Sequence, residues 1–254
     1  MPVQSVDRAV AILDALSAAK GYLGVTELSK ELDLHKSTVH RLLVSLQRGG
    51  LVERDPGTRK YRLAVRIIEL AYAVLNSRGL PQVALPYLHY LADTVEEITY
   101  LAVRDGDKII NVLQVPAPHM VQSVTWLGAG MLHSTAAGKI FLAHLPDDEV
   151  ESYIAGGLPA ITETTVTDAG ELRAELQQIR ERGYSTSWGG QEEGVNSVAV
   201  PIFTHDGEVL AAIGVAGPSY RFTPDKALET PEIVMGVARE VGKRLEPPAF
   251  KVFV

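Results

Sequence analysis

The sequence predicts an α+β protein in two parts: a helical head closed by a short basic hairpin, and a larger body of hairpin strands interleaved with helices. Three observations carry that prediction. Residues 25–62 read VTELSKELDLHKSTVHRLLVSLQRGGLVERDPGTRKYR, two segments of helical period followed by a glycine stop and a Pro-Gly turn. Beyond residue 80, two apolar hairpins each fold across an Asp-Gly pair, which points to an antiparallel sheet. The charge is also uneven: residues 1–66 hold 11 Lys+Arg against 7 Asp+Glu, and the remainder holds 13 against 24, within a net charge of −7.

In the head, Ser5 is expected to cap a first helix running to about Ala18, with Val6, Val10, Leu13 and Leu16 on one face and Asp7 near its positive end. Thr26 can cap a short second helix that buries Leu28 and Leu32. Asp33 and Leu34 make a turn, and a third helix starts near residues 35–37 with Val39, Leu42, Leu43 and Leu46 facing a core. Its other face carries Ser37, Thr38, His40, Arg41 and Ser45. Arginine can bond the guanine edge at two points, and Ser or Thr can reach a base or a phosphate, so this face suits a major groove. Gly49 and Gly50 supply the left-handed backbone of a helix end. Strands 51–54 and 60–63, joined by Asp55-Pro56-Gly57-Thr58, then form a hairpin led by Arg59, Lys60 and Arg62.

Helix, turn, helix and basic hairpin together predict a winged helix-turn-helix domain. Its candidate contacts to double-stranded DNA are Thr26, Lys36, Ser37, Thr38, His40, Arg41, Ser45, Arg59, Lys60 and Arg62. Lys36 and the three wing cations would grip phosphates, while Ser37, Thr38, His40 and Arg41 would choose the sequence. The basic head on an acidic body confines nucleic-acid binding to one domain.

Residues 64–78 read as a linker helix with an apolar stripe of Ile68, Ala71, Tyr72 and Leu75, stopped by Asn76-Ser77-Arg78-Gly79 and Pro81. A stripe with no domain of its own suits pairing with a second copy. The expected division is thus 1–64, 65–79 and 80–254. In the body, helices are expected over 82–93, 134–144, 147–154, 169–182 and 224–245, the last interrupted near Pro231. Strands are expected over 97–103, 108–115, 121–126, 197–203 and 208–216.

Composition excludes several classes. The chain is 254 residues long, enough for two domains that each bury a core. It has no cysteine, hence no disulfide and no cysteine–zinc site, which fits a cytoplasmic protein. Residues 1–5 lack the basic start and apolar core of a signal peptide, and no window approaches the roughly 20 apolar residues of a membrane span. Seven histidines are scattered without ligand spacing, so neither a metal nor another cofactor is expected. Lys139 invites a catalytic reading, but Gly-x-Ser-x-Gly, Ser-x-x-Lys and phosphate-loop spacings are all missing around it. Close packing for Gly138, surface charge or a salt bridge for Lys139, and a structural place for His133 fit better. The alternative, an enzyme acting on a small acid with the head as a protein-interaction module, leaves the basic wing unexplained.

Three stretches, QSVDRAVAILDAL running into TELSKELDLHKSTVHRLLVSL, GAGMLHSTAAGKIFL from Gly128, and GVNSVAVPIFTHDGEVLAAIGVAG from Gly194, together resemble the isocitrate lyase regulator (IclR) family of bacterial transcription factors. The resemblance spans nearly the whole chain. It implies that the body is a GAF/profilin-like effector-binding domain, and that the protein is a homodimer or homotetramer on a pseudo-palindromic operator, repressing or activating in response to a small organic acid or aromatic metabolite. The helix N-terminus at 134–139 offers free amides and a positive dipole to an anion. The family's effector contacts carry over to Ala136, Ala137, Val195 and Ser197, with Met131 and Leu132 as apolar walls. Ser197 stands where several relatives of the family have cysteine, and Ser187 about where one would offer aspartate. Trp188 could stack on an aromatic effector.

Overall fold

In the computed structural model, residues 3–19, 21–70, 79–117 and 129–245 are described. The chain divides into two compact units, Met1–Leu75 and Asn76–Val254.

The first unit packs α1 (Gln4–Ala18), α2 (Val25–Glu31) and α3 (Lys36–Arg48) against a hairpin of β1 (Val52–Arg54) and β2 (Tyr61–Leu63). Its core joins Ile12, Leu16, Leu28, Val39, Leu43, Leu46, Val52 and Tyr61. Two expected caps are corrected. Val3 precedes α1 and Ser5 lies inside it; Gly24 precedes α2, where the Glu27 carboxylate accepts the Gly24 N–H at 2.5 Å and makes a hydroxyl cap unnecessary, so Thr26 lies within the helix. The buried face of α1 also differs from expectation. Ile12, Ala15 and Leu16 are buried, whereas Val6 and Val10 are exposed, because the core of this unit packs on Ala9, Ile12, Leu13, Ala15 and Leu16 of α1.

The third helix ends as its sequence predicts, through Gly50 rather than Gly49. Gly50 has φ +71, and the Leu51 and Gly50 amides bond back to the Leu46 and Gln47 carbonyls. In the wing turn, Asp55 Oδ1 accepts from both the Thr58 amide (2.6 Å) and hydroxyl (2.7 Å), which holds the carboxyl below its ordinary pKa. Arg59 then takes the left-handed conformation, φ 58, that closes the loop. Residues 66–70 are helical. The rest of the expected linker helix, with Ala71, Tyr72 and Leu75, lies outside the described residues, as does the strand expected at 121–126.

The second unit is a six-stranded antiparallel sheet with helices on both faces. The strands are β3 (Ile98–Asp105), β4 (Lys108–Val115), β5 (Ala129–Met131), β6 (Ser185–Trp188), β7 (Val195–Phe203) and β8 (Val209–Pro218), in spatial order β5-β4-β3-β8-β7-β6. On one face lie α4 (Leu80–Val95), α8 (Pro224–Leu228) and α9 (Pro231–Arg244), packed on Leu101, Val198, Val200, Ile202, Ala211, Ile213 and Val215. On the other lie α5 (Ala136–His144), α6 (Asp147–Ala155) and α7 (Ala169–Arg182). The period-2 alternation of β7 and β8 places large residues under the first set of helices and Ala199, Ala212, Gly214 and Ala216 under the second. Those small residues leave room on that face. The Tyr100 ring occupies part of it, and a Cβ at Gly214 would come within 2.5 Å of that ring.

Candidate effector site and nucleic-acid interface

The helix α5 is brought close to the sheet by one position. A Cβ on Gly138 would lie 2.4 Å from the Leu132 carbonyl oxygen, so only glycine lets the first turn of α5 touch the preceding segment. Thr135 caps the helix, its hydroxyl accepting the Gly138 N–H at 2.9 Å. The helix begins at Ala136, two residues later than expected. Ser134 Oγ is turned elsewhere, donating to Gln191 Oε1 at 2.5 Å. Among the described residues, the amides of Ala136 and Ala137 find no acceptor.

Beside that helix start lies a cavity of about 220 Å³, below the roughly 300–1,000 Å³ of pockets for drug-sized ligands and suited to a small metabolite. Its described lining combines hydroxyls and amides (Tyr100, Asn111, Thr135, Ser187, Ser197, Gln191) with Ile109, Ala137, Val195, Ala216 and the Glu192 carboxylate. Ser187 Oγ donates to the Ser134 carbonyl at 2.8 Å, tying β6 to the segment before α5. Tyr100 hydrogen-bonds Ser197, and its burial raises the phenol pKa far above ordinary, so it stays protonated.

Of the residues singled out in sequence, Ala137, Ser187, Val195 and Ser197 line this cavity. Met131 hands its amide to Gln191 (3.4 Å) at the edge, while Leu132 and Ala136 side chains are buried in the core beneath α5. Trp188 is placed elsewhere. Alternation along β6 turns Ser187 inward and Trp188, with Thr186, into a separate groove against α7. Tyr100, Asn111, Thr135 and Gln191 were not singled out. Tyr100 sits in a strand buried on both faces, Ile98-Thr99-Tyr100-Leu101, where period gives no side.

The neighbours of α5 are structural. Lys139 is buried and pairs with Glu175 of α7 at 2.5 Å; desolvation lowers its pKa, with Glu175 opposing that. It is an intradomain salt bridge and not surface charge. His133 is buried between the Tyr153 hydroxyl (2.7 Å) and the Pro159 carbonyl (3.0 Å), and burial lowers its pKa. Among the described residues no cluster of side chains could hold a metal ion, and no helix is long and apolar enough to cross a membrane.

In the first unit, Lys36, Ser37, His40, Arg41 and Ser45 lie exposed on α3, with Thr38 half-buried. His35 caps α3, its Nδ1 meeting the Ser37 hydroxyl at 2.8 Å. Ser45 donates to the Arg41 carbonyl at 3.2 Å. Thr26 is exposed at the start of α2. The wing cations differ among themselves. Arg59 makes no ion pair among the described residues, whereas Lys60 meets Glu27 at 2.8 Å and Arg62 meets Glu53 and stands 5.0 Å over the Tyr22 ring.

A winged helix with an open polar α3 face, and a sheet unit with a polar cavity at a helix start, define a DNA-binding regulator with a ligand-sensing domain. The chain belongs to the IclR family of bacterial transcriptional regulators. Residues 5–56 match the IclR helix-turn-helix domain, and residues 72–243 match the bacterial transcriptional regulator IclR C-terminal region. It is 32% identical over 244 residues to the HTH-type transcriptional repressor AllR of Escherichia coli K12, covering 95% of this chain and 90% of that one. Among solved structures, it is similar to an IclR transcriptional regulator from Alicyclobacillus acidocaldarius (27% identity, 96% and 99% coverage, TM-score 0.85). It is also similar to an IclR homologue from Microbacterium hydrocarbonoxydans complexed with 4-hydroxybenzoate (26% identity, 95% and 98% coverage, TM-score 0.81). These relatives are regulators and not enzymes, which sets the enzymatic alternative aside.

Proposed function

We propose that the protein is a repressor of a catabolic operon that releases or rebinds a pseudo-palindromic operator when a small organic acid enters the cavity beside α5. The observation that carries the reading is a nine-residue helix whose first amides, on Ala136 and Ala137, find no acceptor among the described residues, and whose start at Thr135 and Ala137 lines a small polar cavity. Two amides and a dipole end hold a carboxylate without a cationic side chain. Ser197, Ser187, Thr135 and Asn111 would sort ligands by their remaining polar groups, and Met131 would wall the entrance. The repressive sign is carried by the likeness to AllR, and an aromatic acid by the likeness to the 4-hydroxybenzoate complex. An effector changes DNA binding only as far as its affinity differs between the two states.

A second copy is part of the reading. Val6 and Val10, four residues apart on α1, and Val65, Ile68 and Leu70 leave apolar surface uncovered in the first unit. A two-fold dimer covers such a face and matches a palindromic site. A protein that binds the operator in this way would work in the cytoplasm, with the nucleoid when bound to DNA.

On DNA, Arg41 reads bases and Arg59 meets phosphate. Arg41→Ala is therefore expected to cost about 1–3 kcal/mol on the operator and to relax base preference. Arg59→Ala should weaken operator and scrambled duplex alike and flatten the salt slope by about one contact. Fluorescence anisotropy with both duplexes checks this; equal losses from both variants on every duplex would contradict the assignment. The function as a whole is tested by selecting genomic fragments on the purified protein at about 0.15 M salt and footprinting the products. A few pseudo-palindromic sites beside catabolic genes are expected, and no enrichment over background would sink the reading.

A further inference from the structure

Two of the wing's three leading cations are already neutralised by carboxylates of their own domain. Lys60 Nζ lies 2.8 Å from Glu27 Oε1, and the other oxygen of that carboxylate accepts the Gly24 amide at 2.5 Å. Glu27 thus fixes Lys60 to the N-terminus of α2 while capping that helix. Arg62 sits directly across the hairpin from Glu53 in the β1–β2 register, pairs with it, and has the Tyr22 ring on its other side. The pairs are half-exposed, with side-chain exposures of 40–53%, so they face the solvent from which a duplex would approach. By contrast, Lys36, Arg41 and Arg59 have no ion-pair partner among the described residues.

We propose that Glu27 and Glu53 are specificity-determining residues, which hold Lys60 and Arg62 in neutral pairs so that the wing adds little attraction to arbitrary DNA. This rests on the wing meeting phosphates, as proposed above. Sequence-independent affinity comes from cations that release counterions from the phosphate chain. A cation whose charge is cancelled within 3 Å releases few. On the operator, contacts from α3 fix the register, and a phosphate brought beside the wing can replace the carboxylate as partner. Elsewhere that exchange has no anchor. The two acids thereby lower non-specific binding more than operator binding, and widen the ratio between them.

The test uses the full-length protein, an operator duplex and a scrambled duplex of equal length, with anisotropy titrations across a salt series. Glu27→Gln keeps a carbonyl oxygen for the Gly24 amide, so the helix cap survives the loss of charge. Glu53→Gln keeps the strand residue's shape. Each variant is expected to bind scrambled DNA roughly fivefold more tightly near 0.15 M salt, with a salt slope steeper by about 0.9, and the double variant by about twice that slope. Operator affinity should rise less, so the operator-to-scrambled ratio falls. Unchanged slopes and an unchanged ratio would overturn the proposal, provided Arg59→Ala weakens scrambled binding and so upholds the wing's contact. If Arg59→Ala also changes nothing, the wing reading itself fails and this inference falls with it. Circular dichroism melts of the variants separate these outcomes from misfolding.

Discussion

Glu175→Gln is expected to lower the stability of the effector-binding unit by about 3–5 kcal/mol at pH 7, because it leaves the Lys139 ammonium buried without its partner. Lys139 side-chain exposure is 6%, so water cannot take over the lost contact. For a unit of this size the melting temperature should fall by roughly 6–20 °C. The deficit should depend on pH. Burial depresses the folded pKa of Lys139 below its unfolded value, so the folded state gives up its proton first as pH rises. Stability of the variant should therefore recover on the alkaline side, between the folded pKa and the unfolded value of 10.5, and gain nothing below that window. Replacing both partners, as Lys139→Met with Glu175→Leu, should come close to wild type, since the pair's attraction chiefly offsets its own desolvation. A thermal-melt series from pH 6 to about pH 10.5 checks all three statements. A pH-independent loss in Glu175→Gln would show that Lys139 is not the source.

Ala136→Pro should cut effector affinity by about ten- to a hundredfold, at a modest cost in stability because the Ala136 side chain is buried in the core. Proline at the first helical position loses only an amide that has no intrahelical partner, and its fixed φ suits the helix. Thr135 before it is already extended, at φ −103 and ψ 148, the conformation a following proline requires. The substitution removes one of the two amides at that helix start that find no acceptor among the described residues, and a hydrogen bond to a charged group contributes about 1.5–3 kcal/mol. Isothermal titration with an acid that raises the wild-type melting temperature measures the loss. Undiminished binding to a variant with a normal melt would place the carboxylate away from α5.

Most of the architecture was legible because periodicity and turn chemistry agreed. The α3 stripe, the Gly50 stop, the Asp-Gly hairpins and the Pro231 break all appear where pattern places them. What the pattern missed has physical causes. The strands β5 and β6, AGM and STSW, are three and four residues long at the sheet edges. They are held by neighbours and not by any period of their own. Ser134 and Thr135 are both good caps in sequence; the choice falls to Thr135 because Gln191, 57 residues away from Ser134 in the chain, draws the serine hydroxyl off. Long-range contacts of that kind also decide which face of β6 holds the cavity, and so separate Ser187 from Trp188. In the head, the wing cations were legible as charges, but their carboxylate partners were not, since Glu27 and Lys60 stand 33 residues apart.

The most direct test of the whole account links its two ends. Operator affinity would be measured by anisotropy with and without a saturating effector acid, for the wild-type protein and for Ala136→Pro. The account predicts that the acid shifts wild-type affinity by roughly 5–150-fold. It also predicts that the variant binds the operator as tightly as unliganded wild type yet shows little shift at the same acid concentration. An equal shift in both proteins, or none in the wild type with an acid that demonstrably binds it, would contradict the claim that the cavity beside α5 controls the DNA-binding head.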